Sequence, residues 1–171
     1  MITNSRVAYH SHDHQRCIDA AIHKAEALCH AKEARLTPIR KDVLRVIWQS
    51  HQPLGAYTIQ EQLNATDQRR VLAPTIYRAL EFLSDLRLIH RIASLNAYIG
   101  CPFPGSDHSD LFLICRRCGG AAECSAEGVN NVIAATAKKA NFQLESQSLE
   151  IVGLCPQCQS TPDADGDPGI E

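Results

Sequence analysis

Two Cys-x-x-Cys pairs constrain the fold of this chain more than any other feature. They are Cys115-Arg-Arg-Cys118 and Cys155-Pro-Gln-Cys158, and each directly follows a strand-like apolar run, 111–114 or 149–152. Four thiolates in two closely spaced pairs are the ligand set of a closed tetrahedral zinc site, which stabilises a fold and leaves no coordination position for catalysis. The pairs therefore predict two neighbouring strands whose ends are joined by one structural zinc ion.

Other uses of paired cysteines agree less well with the sequence. Two disulfides would require an oxidising compartment, and residues 1–15 are polar, without the apolar segment of a signal peptide. A thioredoxin-like redox site needs a long helix after the pair, but the 13 residues after Cys158 are rich in Pro, Gly and Asp. A zinc deaminase needs a His-x-Glu motif, which the sequence lacks. We therefore expect a cytoplasmic protein that is not an enzyme.

Charge is distributed unevenly along the 171 residues. Residues 1–100 contain 13 Lys and Arg against 9 Asp and Glu, a net charge of +4, whereas residues 101–171 contain 4 against 10, a net charge of −6. The two add up to the overall charge of −2. This asymmetry is typical of a half that faces nucleic acid joined to an acidic half with another role. Because of this asymmetry we expect DNA as the partner, and no small organic substrate. No apolar run approaches the roughly 20 residues of a membrane span, so we expect no membrane partner.

Helical periodicity dominates the first half. Apolar residues from Ile18 to Cys29 recur at helical spacing and predict an amphipathic first helix. Thr37-Pro38 predicts the start of a second helix, because Thr is a good N-cap and Pro is favoured at the first helical position. Residues 56–63 predict a short third helix, and Pro74 the start of a fourth that ends near Leu86.

The fourth helix is predicted to have a buried side and a polar side. The residues expected to face the core are Ile76, Ala79, Leu80 and Leu83. In a helix-turn-helix, a short helix and a turn precede a helix whose first turns present polar residues to the major groove. The third and fourth helices fit this arrangement, although the spacing alone fits an ordinary core helix equally well. The following run, 88–99, predicts a β-hairpin with a polar turn at 94–96. Helices followed by such a hairpin form a winged helix.

The predicted DNA contacts lie on these helices and the loop between them. The residues expected to contact the operator are Thr75, Tyr77 and Arg78 on the fourth helix and Tyr57 on the third. Lys41 and Arg70 are expected to contact phosphates.

Several metal-binding side chains remain outside the paired set. His90 in the hairpin, Cys101 at its end, His108 in the next loop and Glu123 after the first pair offer donors that suit Zn²⁺, but their spacing alone does not bring them together. Cys124 competes with Glu123, and only one of them can face the site because adjacent strand residues point to opposite faces. Roles for Cys17 and for the cluster His10, His12 and His14 stay open.

Several motifs resemble those of the ferric uptake regulator superfamily and occur in the same order as in that family. They are Arg-Leu-Thr-Pro-Ile-Arg (35–40), Ala-Pro-Thr-Ile-Tyr-Arg-Ala-Leu-Glu-Phe-Leu (73–83), Leu-Ile-His-Arg-Ile (88–92) and Cys-Arg-Arg-Cys-Gly (115–119). The resemblance covers roughly residues 14–158 and is strongest to the zinc uptake regulator branch. It implies an α+β fold with an N-terminal winged helix and a small C-terminal α/β dimerisation domain.

The resemblance also implies two zinc ions per protomer and a function. The structural zinc would be held by Cys115, Cys118, Cys155 and Cys158, and the regulatory zinc by His90, Cys101, His108 and Glu123. The chain would then be a homodimeric repressor that binds palindromic operators of zinc uptake genes when zinc closes the interdomain site. Iron and peroxide sensors of the same superfamily are one alternative, but they carry a His-rich stretch where residues 102–110 have one His. A zinc-dependent enzyme is the other alternative, but the sequence has no His-Glu-x-x-His motif.

The resemblance implies the two domains, and the composition of the two ends predicts an arm before them and a tail after them, so the chain is expected to have four parts. In chain order these are a flexible arm, the winged-helix domain, the zinc-binding dimerisation domain and a disordered acidic tail. Their expected bounds are 1–13, 14–100, 101–160 and 161–171.

Overall fold

The computed structural model describes residues 14–66, 70–105, 110–124 and 127–160. Four helices and a β-hairpin precede a three-stranded sheet that carries two more helices, so the α+β class is confirmed. The helices are α1 (His14–Ala31), α2 (Pro38–Trp48), α3 (Ala56–Thr66), α4 (Ala73–Asp85), α5 (Glu127–Lys139) and α6 (Pro156–Ser160). The strands are β1 (Ile89–Ile92), β2 (Ala97–Gly100), β3 (Asp110–Cys115), β4 (Ala121–Cys124) and β5 (Ser148–Gly153).

Some expectations concern parts of the chain outside these ranges. The arm at 1–13, the acidic tail at 161–171 and His108 all lie outside the described residues. None of the described helices is long and apolar enough to cross a membrane.

The first four helices enclose the larger apolar core. Its largest buried side chains are Val43, Leu44, Ile47, Ile59, Ile76, Leu80, Leu83 and Ile89. The side of α4 predicted to be buried is confirmed, since its four apolar residues are at most 2% exposed. Full burial of each Leu or Ile stabilises the fold by about 1.5–3 kcal/mol, so this core is the main support of the N-terminal half.

The predicted helix starts are confirmed with one difference in detail. Pro38 and Pro74 occupy the first turns of α2 and α4, where a missing N–H costs no helical hydrogen bond. Thr37 takes the N-cap position of α2 in an extended conformation, but its hydroxyl makes no capping hydrogen bond. The fixed φ of proline, rather than the cap, therefore marks where α2 begins.

The predicted hairpin is present as the antiparallel pair of β1 and β2, with His90 opposite Ile99. Residues 93–96 form its turn, and Asn96 adopts a φ of +46°, in the left-handed region that Asn tolerates better than most residues. The Arg91 guanidinium donates to Asn96 Oδ1 at 2.8 Å, which ties the turn to β1. The hairpin is therefore an ordered platform for His90.

The C-terminal sheet has the strand order β4-β3-β5. The central strand β3 is antiparallel to β4 and parallel to β5. Leu111, Phe112 and Ile114 on β3 are buried, whereas the edge strand β5 leaves Ile151 and Val152 more than half exposed. The prediction that the strands before the two cysteine pairs are neighbours is confirmed, because β3 pairs with β5. The pairing is parallel, so both strands end on the same side of the sheet.

Apolar contacts and hydrogen bonds join the two halves. A small buried cluster combines hairpin and sheet residues: Ile92, Ile99, Phe112, Ile114 and Ala121. The Ala121 N–H donates to the His51 carbonyl at 2.9 Å, and the Gln52 amide donates to the Cys118 carbonyl at 2.8 Å. The sheet is thus held against both the hairpin and the loop after α2.

Gly100 permits a close approach at the end of the hairpin. A Cβ at this position would lie 2.3 Å from Trp48 Cε2, closer than real Cβ contacts. Trp48 therefore packs directly on the backbone that leads to Cys101, and any side chain at position 100 would displace the indole or that backbone.

Candidate metal centres

The four paired cysteines form one cluster. Their Sγ atoms all lie within 4.8 Å of one another, and Cys118 Sγ is 3.9 Å from Cys155 Sγ. Sulfur atoms around a tetrahedral zinc ion, each about 2.3 Å from the metal, are separated by roughly 3.8 Å. A disulfide would bring two sulfur atoms to about 2.05 Å. The spacing therefore fits a zinc ion and excludes a disulfide between Cys118 and Cys155.

Tight turns place these sulfur atoms. The Gly119 N–H donates to the Cys115 carbonyl at 2.9 Å, and Gly119 adopts a φ of +71°, which favours glycine. The second pair follows β5, where the Cys155 N–H points at Cys115 Sγ at 3.4 Å. The Arg117 guanidinium donates to the Cys158 carbonyl and so links the two pairs.

The pKa values of two thiols in the cluster are shifted in opposite directions. Burial raises the pKa of Cys115, but N–H groups of Cys118, Cys155 and Arg117 outweigh it and lower that pKa to about 6. Burial and the neighbouring thiols raise the pKa of Cys158 to about 12. Without a metal the cluster would thus favour a thiolate at Cys115 and a protonated thiol at Cys158, because like charges at this distance repel. A divalent cation removes that conflict by binding all four as thiolates.

A second cluster joins three of the four side chains predicted to bind the regulatory metal. Donor atoms of His90, Cys101 and Glu123 all lie within 4.8 Å of one another, and His90 Nε2 is 3.3 Å from Glu123 Oε2. Each residue is at most 7% exposed. The predicted fourth ligand, His108, lies outside the described residues, so the structure does not place it.

Three different elements supply this cluster. His90 comes from β1, Cys101 directly follows β2 and Glu123 comes from β4. The alternation of side chains along β4 decides between the two adjacent candidates there, because Glu123 is buried in the cluster while Cys124 on the opposite face is half-buried. The structure therefore places Glu123, and not Cys124, beside His90.

The donor set suits a zinc ion. Burying a carboxylate is costly unless a positive charge accompanies it, and here a nitrogen and a sulfur donor face the carboxylate from two other elements. Zinc binds such mixed nitrogen, sulfur and oxygen sets in tetrahedral geometry. The sulfur makes the site a better match for zinc than for a hard, oxygen-preferring cation.

A cavity of about 190 Å³ adjoins the second cluster. Cys101 and Glu123 form part of its wall, together with Cys17, Trp48 and His51. His51 is half-buried, with its ring centroid 5.2 Å from that of His14 and 6.4 Å from that of Trp48. Sequence reasoning missed these residues because α1 and the end of α2 reach the cluster only through tertiary packing.

The residues predicted to contact DNA are mostly exposed. Tyr57 is 70% exposed and Tyr77 is 47% exposed, and Thr75, Arg78 and Arg70 are exposed as well. Lys41 differs, because its ammonium forms an ion pair with Glu26 at 2.5 Å. A contact between Lys41 and a phosphate would have to replace that ion pair.

Proteins with known functions resemble this chain in sequence and in structure. The zinc uptake regulation protein of Escherichia coli (strain K12) is 35% identical over 136 residues, covering 79% of each chain. A solved zinc uptake regulator complexed with zinc and DNA has a TM-score of 0.76 at 32% identity, covering 87% of this chain and 97% of that chain.

The two solved forms of XcZur resemble this structure to different extents. Holo XcZur has a TM-score of 0.75 at 37% identity, over 83% of this chain and 99% of that chain. Apo XcZur has a TM-score of 0.50 at 36% identity, over 84% and 98%. Sequence identity is nearly the same in both comparisons, so by TM-score the present structure is more similar to the holo form than to the apo form.

A sequence profile described as the ferric uptake regulator family matches residues 31–152. The matched range includes α2, α3, α4 and the β1–β2 hairpin. It also includes His90, Cys101 and Glu123. The chain therefore belongs to the ferric uptake regulator family.

Proposed function

We propose that this chain is a zinc-responsive transcriptional repressor of zinc uptake genes. The observation that carries the proposal is the convergence of His90, Cys101 and Glu123 from the hairpin, the segment after it and the sheet. A metal ion bound there holds the hairpin at a fixed angle to the sheet. The greater similarity of the structure to holo than to apo XcZur and the resemblance to a regulator complexed with zinc and DNA support the same conclusion.

The proposal assigns two domains. Residues 14–100 form a winged helix-turn-helix, with α3 and α4 as the helix-turn-helix and the β1–β2 hairpin as the wing. Residues 101–160 form the dimerisation domain. His90 then belongs to the DNA-binding domain and Glu123 to the dimerisation domain, so the metal links the two, with His108 as its fourth ligand. The four-cysteine cluster binds a second, structural zinc ion.

We also propose that the active form is a homodimer. Apolar residues are exposed both on α5 and on the edge strand β5: Val129, Val132, Ile151 and Val152. Exposed apolar patches and open strand edges mark protein–protein interfaces. A two-fold dimer formed there would carry two α4 helices, which suits a palindromic operator with half-sites in successive major grooves.

Zinc then acts by selecting one conformation. A ligand shifts an equilibrium between conformations only by the difference in its affinity for them, and the ligands of this site lie together only when the wing packs on the sheet. Zinc binding therefore favours the closed dimer with correctly spaced α4 helices. Without zinc the wing is held less tightly, and operator affinity falls.

The proposal is tested by operator binding at buffered free zinc concentrations. A palindromic duplex is first selected from random-sequence DNA by the zinc-loaded protein. Binding of this duplex should rise by about 5–150-fold as zinc fills the second site, the usual range of allosteric coupling. Iron and manganese serve as controls. Operator binding that depends on iron instead would favour an iron or peroxide sensor, and binding that no metal changes would contradict the proposal.

Replacing Arg78 by Ala should weaken operator binding and alter its sequence preference. Arg78 is exposed on the first turns of α4, where a recognition helix contacts base edges. Loss of a bidentate contact with guanine costs about 1–3 kcal/mol. The measurement is binding to the selected operator and to single-base variants, with Arg87→Ala as a control on an exposed arginine beyond α4. A uniform loss on all duplexes with a weaker salt dependence would instead identify Arg78 as a phosphate contact.

A further inference from the structure

One row of side chains across the C-terminal sheet faces the hairpin. Strand pairing places Phe112 opposite both Glu123 on β4 and Glu150 on β5, and residues paired in this way point to the same face of a sheet. Glu123 faces His90 in the second metal cluster. The Phe112 ring centroid lies 5.4 Å from that of His90. Two members of the row therefore contact one hairpin residue, His90.

Glu150, the third member, contacts the other end of the hairpin. Its Oε1 accepts a hydrogen bond from the Ala93 N–H at 2.7 Å, and its Oε2 accepts one from the Ser94 N–H at 3.1 Å. Burial raises the pKa of Glu150, but hydrogen bonds from the Ser94 hydroxyl and the two N–H groups outweigh it and lower that pKa. The ionised carboxylate thus caps the first two residues of the hairpin turn.

These contacts hold the hairpin at two separate points. Glu123 and Glu150 lie on the strands that flank β3, and neighbouring strands are about 4.8 Å apart, so the backbones of the two residues are roughly 10 Å apart across the sheet. The apolar cluster that contains Ile92 and Phe112 also packs the hairpin on the sheet, but apolar packing is not directional, so the hairpin can still pivot about His90. A second attachment at residues 93 and 94 removes this freedom, and it does so without using a metal ligand.

We infer that Glu150 is a positioning residue that holds the hairpin on the sheet and so lowers the free zinc concentration needed for DNA binding. The inference rests on the proposed function, because it requires that zinc and the closed arrangement favour each other. If only part of the zinc-free protein is closed, the apparent dissociation constant for zinc is the intrinsic constant divided by the closed fraction. Removing the Glu150 contacts reduces that fraction, and more zinc is then required.

The test compares Glu150→Ala, Glu150→Gln and the wild-type protein in zinc-dependent operator binding. Glu150→Ala should raise the half-maximal free zinc concentration about tenfold, which corresponds to ~1.4 kcal/mol, while binding at saturating zinc changes little. Glu150→Gln should give an intermediate value, because its single carbonyl oxygen can replace only one of the two carboxylate oxygens that accept from the Ala93 and Ser94 N–H groups. Glu145→Ala is the matched control, since it removes an exposed carboxylate from the same half and should leave the midpoint unchanged.

Hydrogen exchange at Ala93 and Ser94 supplies a second readout at the proposed contact. In the zinc-loaded protein these amides should exchange about tenfold faster in Glu150→Ala than in the wild type, while amides in the α1–α4 core keep their protection. An unchanged zinc midpoint, with or without faster exchange, would overturn the role of Glu150 and leave the proposed function standing. If wild-type operator binding did not depend on zinc at all, the proposed function itself would fail and this inference with it.

Discussion

Cys118→Ser is expected to abolish the folded C-terminal half. The substitution removes one of the four sulfur ligands that the cluster offers to a metal ion. Structural zinc sites contribute apparent binding free energies of about 10–16 kcal/mol in small zinc-dependent folds, which exceeds the marginal stability of a typical domain. Cys118 is exposed, so the loss would arise from metal binding and not from a cavity in the core.

Zinc content and thermal unfolding measured together test this prediction. We expect Cys118→Ser to be insoluble or to unfold at a much lower temperature, with the structural zinc missing. Cys17→Ser is the control, because Cys17 lies on α1 outside the four-cysteine cluster, and it should keep the wild-type zinc content. A stable Cys118→Ser protein with unchanged zinc would show that the paired cysteines have another role.

Cys101→Ser is expected to separate folding from regulation. The two clusters share no ligand, so the variant should remain a folded dimer with its structural zinc, and zinc should fall from two ions per chain to one. Operator binding should lose the 5–150-fold response to zinc expected for the wild type. The physical reason is that a serine hydroxyl replaces the only sulfur donor of a buried site, and zinc then no longer favours the closed arrangement.

Trp48 gives this experiment an optical readout. It is the chain's one tryptophan, and it lines the same cavity as Cys101 and Glu123. Zinc added to the wild-type protein with its structural site already filled should change Trp48 emission, and Cys101→Ser should not respond. Cys124→Ser is the matched control and should titrate like the wild type. If Cys101→Ser kept two zinc ions and regulated binding, Cys101 would not be a ligand, and Cys124 would become the first alternative.

Patterns within short stretches of sequence predicted the local structure well. Proline at the first turns of α2 and α4, helical spacing in α1 and α4, and the apolar runs before the cysteine pairs all act over a few residues, so they can be read without knowing the fold. Each cysteine pair is local in the same sense, and the ligand chemistry of four thiolates predicted that the two pairs meet, although the parallel pairing of β3 with β5 is what brings them together. The DNA contacts on α3 and α4 remain predictions, although the exposure of Tyr57, Tyr77 and Arg78 agrees with them.

The sequence by itself determined the helices, the hairpin and the strands before the cysteine pairs, since each depends on spacing along a few residues, and it predicted the four-cysteine cluster from the ligand chemistry of the two pairs. Only the tertiary structure decided which face of β4 meets the hairpin, and hence that Glu123 and not Cys124 lies beside His90. It alone revealed Glu150 as a cap on residues 93 and 94, some 57 positions earlier in the chain. The reason is that strand register and the packing of hairpin on sheet are set by the combined burial of distant apolar residues, such as Ile92 and Phe112, and no local pattern encodes that arrangement.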